Sequence, residues 1–330
     1  MKYVRFGSTG LTVSRLCLGT MTFGLQTDEA GSTAILNAAA ESGINFLDCA
    51  DVYPLGGGIP TVGRTEEILG RWLAGKRHNF IVATKAYGRT GPLDWDEGSS
   101  RKHLLDAIDA SLRRLKTDYI DLYQLHADDP KTPIDETLDA LDSIVRAGKV
   151  RYIGVSNFLA YRLARSLGRS DVRRVARYVS VQPRYSLLFR EFERELFPLA
   201  AEEGLAVIPY NPLAGGMLSG KHKFEKGPAE GTRFALGTAA TLYQNRYWHE
   251  RVFKTVSDFV GIANEVGMSP VTLAISWVLA NPVITSPIIG ASRADQLPAS
   301  IAAADVNLAP EIKQRLDELT AEYRWGDSPR

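Results

Sequence analysis

The sequence predicts an α/β fold, a closed parallel (β/α)8 or TIM barrel, and three observations carry that prediction. Eight short apolar runs alternate with amphipathic helical segments along the chain. A polar or aromatic residue stands at or just past the end of almost every run: Asp48, Tyr53, Lys85, His126, Asn157, Gln182, Tyr210 and Ser292. The turn after the first run, Gly19-Thr20-Met21-Thr22-Phe23-Gly24, lacks the G-x-G-x-x-G spacing that brings a backbone against pyrophosphate in a doubly wound open sheet. A barrel gathers its strand ends at one mouth, so residues distant in sequence converge there.

In chain order, residues 1–14 alternate weakly around Gly7-Ser8-Thr9-Gly10, the pattern of a hairpin that plugs the barrel's N-terminal face. Strands are expected over 15–20, 45–50, 80–85, 120–126, 150–156, 179–182, 206–210 and 286–290, each short and bounded by turn or polar residues, as strands buried on both faces are. Between them, Leu104, Ile108, Leu112 and Leu115 form one helical stripe. Thr132 is expected as an N-cap, with Pro133 at the first helical position and Asp135 in an acidic first turn, ahead of Leu138, Leu141 and Val145. Ser269 followed by Pro270 starts another helix. The βαβα order implies parallel pairing with right-handed crossovers. Residues 212–248, rich in Gly, Lys and aromatics, form a long excursion on the mouth side, where lids and binding loops sit. No repeat or linker-like shift appears, so 1–330 reads as a single domain with extra C-terminal helices and loops.

Composition narrows the function classes. With 330 residues and 45% hydrophobic content the chain can bury a large core. Thirty-nine Lys plus Arg against 38 Asp plus Glu leave a formal charge of +1, so no global field recruits nucleic acid or an anionic membrane. Cys17 and Cys49 lie in apolar runs and suit buried thiols in a reducing compartment. There is no targeting pattern and no run of about 20 apolar residues, so a soluble cytoplasmic protein is expected. The five histidines show no H-E-x-x-H or i, i+4 pair, and no metal is expected. Residues 58–65 match the phosphate-loop spacing with Arg64 in place of lysine, but they do not join a strand directly to a helix and read instead as a glycine-rich active-site loop.

The chemistry rests on four residues. Asp48, Tyr53 and Lys85 come from adjacent strand ends and His126 from the next. A phenol is a poor acid at neutral pH, and a neighbouring ammonium is expected to move its pKa towards useful values. Lys85 is that ammonium, Asp48 its anchor, and His126 a donor that fixes the substrate oxygen. Such a set protonates a carbonyl oxygen while hydride arrives at the carbon, because negative charge develops on that oxygen.

Several segments carry a family resemblance: Leu18-Gly19-Thr20-Met21, Phe46-Leu47-Asp48-Cys49-Ala50-Asp51-Val52-Tyr53, Ala83-Thr84-Lys85, Asp121-Leu122-Tyr123-Gln124-Leu125-His126 and Gly154-Val155-Ser156-Asn157-Phe158. To these are added Val181-Gln182-Pro183, Ile208-Pro209-Tyr210-Asn211-Pro212-Leu213 and Pro287-Ile288-Ile289-Gly290-Ala291-Ser292-Arg293. In this order and spacing the chain resembles the aldo-keto reductase superfamily over essentially its whole length. The resemblance implies an NADPH-dependent reductase of aldehydes or ketones, with NADH also admissible, in which Tyr53 is the proton donor, Lys85 and Asp48 tune it, and His126 orients the carbonyl. It further implies that Ser156, Asn157 and Gln182 bind the nicotinamide carboxamide, that Tyr210 stacks on the ring, and that Ser292 and Arg293 hold the 2′-phosphate. Gly19, Thr20, Met21, Asp48, Asn211, Pro212, Leu213, Gly290 and Gln296 complete the implied cofactor set. The sequence departs from the family at the adenine site, where Ala299 and Ser300 replace a Glu-Asn pair, which puts the choice between NADPH and NADH in question.

For the substrate, a small-molecule carbonyl, the reading adds Tyr87, Trp95, Tyr185 and Trp248 to Tyr53 and His126, beside Met21, as an aromatic pocket near the mouth. Aromatic aldehydes, sugar-derived ketones and pyridoxal-like compounds are all admissible. Two other functions stay open: a Schiff-base aldolase with Lys85 as nucleophile, and a cofactor-binding regulatory protein on the same fold. The oligomeric state is open.

Overall fold

In the computed structural model, which describes residues 1–326, all eight expected strands pair in parallel in one sheet. The last four residues of the 1–330 reading lie outside the described residues. A hairpin comes first, β1 (Tyr3–Arg5) and β2 (Thr12–Ser14), antiparallel with Val4 opposite Val13. The barrel staves are β3 (Cys17–Gly19), β4 (Phe46–Asp48), β5 (Ile81–Ala86), β6 (Ile120–Leu125), β7 (Val150–Ser156), β8 (Tyr178–Gln182), β9 (Ala206–Val207) and β10 (Ile288–Ile289). They run in the order β10-β3-β4-β5-β6-β7-β8-β9. The two edge strands meet through single bridges, Val207 with Ile284 and Tyr210 with Ile288, and the Ile288 N–H donates to the Pro209 carbonyl at 2.8 Å. These contacts close the ring. They also explain why β9 and β10 are two residues long where five were expected: closure uses isolated bonds in place of a ladder.

Side chains alternate along each stave. One set fills the lumen: Cys17, Phe46, Ala83, Leu122, Ala206, Ile208 and Ile288. Phe6 and Val13 of the hairpin join that cluster, and the Phe6 ring stands edge-on to Phe46 with centroids 5.7 Å apart. The hairpin is therefore a plug in the N-terminal end, as its Gly-rich turn suggested. Phe6→Ala should cost about 3–5 kcal/mol, the range for emptying a buried aromatic site, and denaturant titration would read the loss.

The helices α1 (Glu29–Glu41), α2 (Arg64–Trp72), α3 (Arg101–Leu115), α4 (Ile134–Arg146), α5 (Ala160–Arg173) and α6 (Leu196–Glu202) separate the staves up to β9. After β9 come α7 (Ala240–Tyr247), α8 (Glu250–Glu265) and α9 (Pro270–Leu279), and after β10 come α10 (Leu297–Ala302) and α11 (Pro310–Leu319). The stripe on α3 buries Leu104, Ile108 and Leu115 against the strands. Ser269 caps α9 as expected, its hydroxyl oxygen accepting the Thr272 N–H at 3.0 Å. Thr132 does not cap α4. That helix starts at Ile134 with Pro133 in the cap position, and the Thr132 hydroxyl donates to Asp129 at 2.7 Å, a charged acceptor that outcompetes the backbone.

The 212–248 excursion folds into short 3-10 turns and α7 around its own aromatic core of His222, Phe234 and Trp248. It rests on the loops after β3 and β4. Gln26 donates to the Gly231 carbonyl at 2.6 Å, and a Cβ on Gly237 would come within 2.7 Å of the Gly56 carbonyl. No single helix among the described residues is long and apolar enough to cross a membrane.

Candidate active site

The mouth of the barrel holds a buried ion pair. Asp48 ends β4 and Lys85 lies near the end of β5, both side chains out of solvent. The Lys85 ammonium donates to Asp48 Oδ2 at 2.5 Å and to the Cys49 carbonyl at 2.7 Å. Asp48 Oδ1 accepts from the Gln182 amide at 2.8 Å and from the Gln124 amide at 3.2 Å. Thr20 grips the Asp48 carbonyl with its N–H at 3.0 Å and its hydroxyl at 2.9 Å. Every polar atom on this carboxylate is thus directed, as burial of a charge requires.

Past β4 the chain keeps pairing with β5, Cys49 N–H to Ala83 and Asp51 N–H to Lys85, and then turns so that the Tyr53 N–H meets the Ala50 carbonyl at 3.2 Å. This turn sets the Tyr53 ring with its centroid 5.1 Å from the Lys85 ammonium and 5.7 Å from the His126 ring, edge to face. The structure therefore brings all four catalytic candidates together. Gln124 was missed, although it stands on β6 two residues before His126, which follows the end of that strand, and this spacing was readable.

The electrostatics differ from the expectation in one respect. Burial dominates at Tyr53 and raises its phenol above the ordinary range, with Lys85 opposing and Asp48 adding to the rise. The ammonium does not bring the phenol down in the resting state; it limits the rise, because the ring is stripped of water more completely than one charge can offset. At Lys85, burial pulls downward, but the charges of Asp48 and Tyr53 outweigh it and hold the amine protonated. Burial, and then the Lys85 charge, lower His126 to about 3, so its imidazole is neutral at neutral pH.

A second arc of polar groups runs around the mouth from β6 to β9. Asn157, in the left-handed conformation at φ 57°, donates to the His126 carbonyl at 2.8 Å and accepts from the Tyr210 hydroxyl at 2.8 Å. Ser156 donates to the Gln182 carbonyl at 2.9 Å. Asn211 is spent on folding its own turn, accepting the Gly215 N–H at 2.6 Å and donating to the Tyr247 hydroxyl at 3.0 Å, next to buried Pro212 and half-buried Leu213. Gly19 has a packing reason, since a Cβ there would sit 2.7 Å from Ile288. At Gly290 a Cβ would meet only the Gly19 carbonyl at 4.0 Å, so a ligand can approach that backbone closely.

Beyond Gly290, Gln296 accepts from the Ser292 N–H at 2.9 Å and shapes the turn, while exposed Arg293 pairs with Asp295 at 3.1 Å. Arg233, passed over in the sequence, reaches Met21 Sδ at 3.7 Å, and Lys221 lies beside Gly216. Open glycine backbone and cations thus share the sector from β9 through β10 to β3. That chemistry fits the phosphates and ribose of a dinucleotide, with Asn157, Gln182 and Tyr210 at its inner end.

The substrate candidates do not all converge. Tyr185 is buried on the outer wall, stacked on Trp277 with centroids 5.1 Å apart and its hydroxyl on Glu193 at 2.7 Å. Trp248 belongs to the core of the excursion. Tyr185 is not presented at the mouth, because it finds a larger aromatic partner in Trp277, whereas half-buried Trp248 packs on His222, Phe234 and Phe253. Tyr87, half-buried two residues past Lys85, has φ 152°, a backbone region rare outside glycine. Trp95 is 51% exposed on the following loop.

Comparison with known proteins extends these findings. The sequence model described as the Aldo/keto reductase family matches residues 15–321. An uncharacterized oxidoreductase of Bacillus subtilis, YrpG, is 40% identical over 327 residues, covering 97% of this chain and 96% of its own. Protein tas of Escherichia coli is 36% identical, covering 98% and 99%. A probable voltage-gated potassium channel subunit beta of Arabidopsis thaliana is 35% identical, covering 97% and 96%.

Proposed function

The chain belongs to the aldo/keto reductase family, and from that membership we propose that it is an NADPH-dependent reductase converting an aldehyde or ketone to an alcohol as one barrel domain. The family and a relative named as an oxidoreductase support a general oxidoreductase role. The observation that carries the finer reading is the buried Lys85–Asp48 pair under the Tyr53 ring with His126 edge-on to it.

A reduced dinucleotide held there would supply hydride to the carbonyl carbon. Tyr53 gives its hydroxyl proton to the carbonyl oxygen as charge develops there, and the phenolate that remains is stabilised by the Lys85 ammonium. Asp48 keeps Lys85 charged and aimed, with Gln124 and Gln182 fixing the carboxylate. Neutral His126 donates an N–H to the same oxygen and sets its angle. The raised phenol pKa suits this assignment: Tyr53 is held as the acid until charge appears beside it. Ser156, Asn157 and Gln182 would hold the carboxamide, Tyr210 would stack on the ring, and Gly290, Ser292 and Arg293 would take the adenosine phosphate end. Thr20 acts through Asp48, since its hydroxyl is occupied there.

The Schiff-base alternative needs an amine with a depressed pKa, and Lys85 is held in the opposite direction. The regulatory alternative keeps one support, the relative named as a potassium channel beta subunit. Both are decided by measuring NADPH and NADH oxidation against a panel of aromatic aldehydes, ketoses and pyridoxal-like carbonyls. Carbonyl-dependent oxidation is expected, and its absence across the panel, with cofactor still bound, would favour the regulatory reading. In the same assay Arg293→Ala should raise the KM for NADPH about tenfold and leave that for NADH unchanged, the size expected for losing one charge-assisted phosphate contact.

A further inference from the structure

Behind the catalytic pair, on the helix side of the same strands, lies a second buried set of ionisable groups: Asp51, Glu66 and Tyr123, all shielded from solvent. Glu66, on α2, is fully engaged, accepting the Thr84 hydroxyl at 2.6 Å and the Arg114 guanidinium of α3 at 2.6 Å. Lys85 is taken by Asp48. Asp51 has no such side-chain or cation partner: both carboxyl oxygens are buried with only the N–H of the adjacent Val52 turned to them, and the Tyr123 hydroxyl on β6 is buried without a hydrogen bond. Three carboxyl groups, Asp48, Asp51 and Glu66, therefore face two cations, each already committed to one of the other two. An ionised Asp51 would be an uncompensated buried charge, a state proteins avoid by keeping the proton.

We propose that Asp51 is a neutral carboxylic acid in the working enzyme and acts as a positioning residue for Tyr53. It lies in the turn that runs from Asp48 to Tyr53, its own N–H on the Lys85 carbonyl at 3.1 Å, two residues before Tyr53. Uncharged, it leaves the Lys85 field to the developing phenolate. Ionised, it would set a second carboxylate against Lys85 and load charge into the turn that aims the ring. The groups facing it act in the same sense: burial first, then Glu66, push its pKa well up, against the weaker pull of Arg114 and Lys85. The catalytic part of this role rests on the reading of Tyr53 as proton donor; the protonation state does not.

The sign follows from linkage. A carboxyl raised in the folded state costs nothing below its unfolded value of about 3.9, and stability is lost as pH rises from there to the folded value. Asp51→Asn keeps the shape without the charge. Its melting temperature relative to wild type should rise as pH is raised from 4.5 to 8, by about 4 °C, and its turnover should decline less at alkaline pH. A melting gap equal at every pH, or one that moves against the variant as pH rises, overturns the neutral-acid proposal. If the variant does not fold, infrared spectra of the wild type decide: a protonated carboxyl band persisting at pH 8 is expected, and its absence overturns the proposal. Failure of the turnover arm alone, with the melting arm intact, would fault the Tyr53 assignment and not the protonation of Asp51.

Discussion

Tyr53→Phe should lower carbonyl turnover by about 100- to 10,000-fold, the range supplied by a positioned general acid, and leave NADPH binding near wild type. The proton is needed only in the transition state, so the loss falls on kcat and not on cofactor affinity. Packing should survive, because the ring's contact with His126 is made by carbon edges that phenylalanine retains. Single-turnover rates with NADPH, paired with a fluorescence titration of the cofactor, would check both halves. Wild-type turnover in this variant would remove Tyr53 from the chemistry.

Lys85→Met should be the most destabilising single change in the site, by about 3–5 kcal/mol, because it strands Asp48 as a buried charge. The amides of Gln182 and Gln124 remain on Asp48 Oδ1, but Oδ2 loses its only hydrogen-bond partner among the described residues. Turnover should also fall to background, since nothing then stabilises the phenolate. Equilibrium unfolding of Lys85→Met, Asp48→Asn and the double variant separates the two effects. The double variant should regain much of the stability and none of the activity, whereas additive losses would mean that the pair is not coupled. Because Lys85 is held protonated, the stabilisation it provides should not vary across the neutral range.

Much of the fold was legible because its signals are local. Each barrel stave is an apolar run whose length and bounding turns are written in consecutive residues, and all eight were found. Boundaries overran by three residues at 15–20, 45–50, 206–210 and 286–290, and at the last two closure rests on single bridges that depend on the far edge of the sheet. Thr132 failed as a cap for a related reason: its competitor Asp129 is held in place by Ser99, thirty residues earlier in the chain. The meeting of the proposed catalytic groups was legible because residue type and strand-end position coincide at Asp48, Lys85 and His126. The aromatic pocket was not. Tyr185 looks in sequence like a residue of a mouth, and only its packing on Trp277 shows that it faces elsewhere; Trp248 is drawn into the aromatic core of the excursion by Phe234.

By itself, the sequence determined the barrel, its plug and the identity of the four groups that meet at the mouth, since periodicity, turn residues and strand ends are properties of short segments. The tertiary structure alone decided their electrostatic state: a phenol held as an acid, an amine held charged, an imidazole held neutral, and a carboxyl at Asp51 without a side-chain or cation partner. The reason is that a pKa depends on how much water is excluded and which charges stand nearby, and both are set by strands and helices that are far apart in the chain.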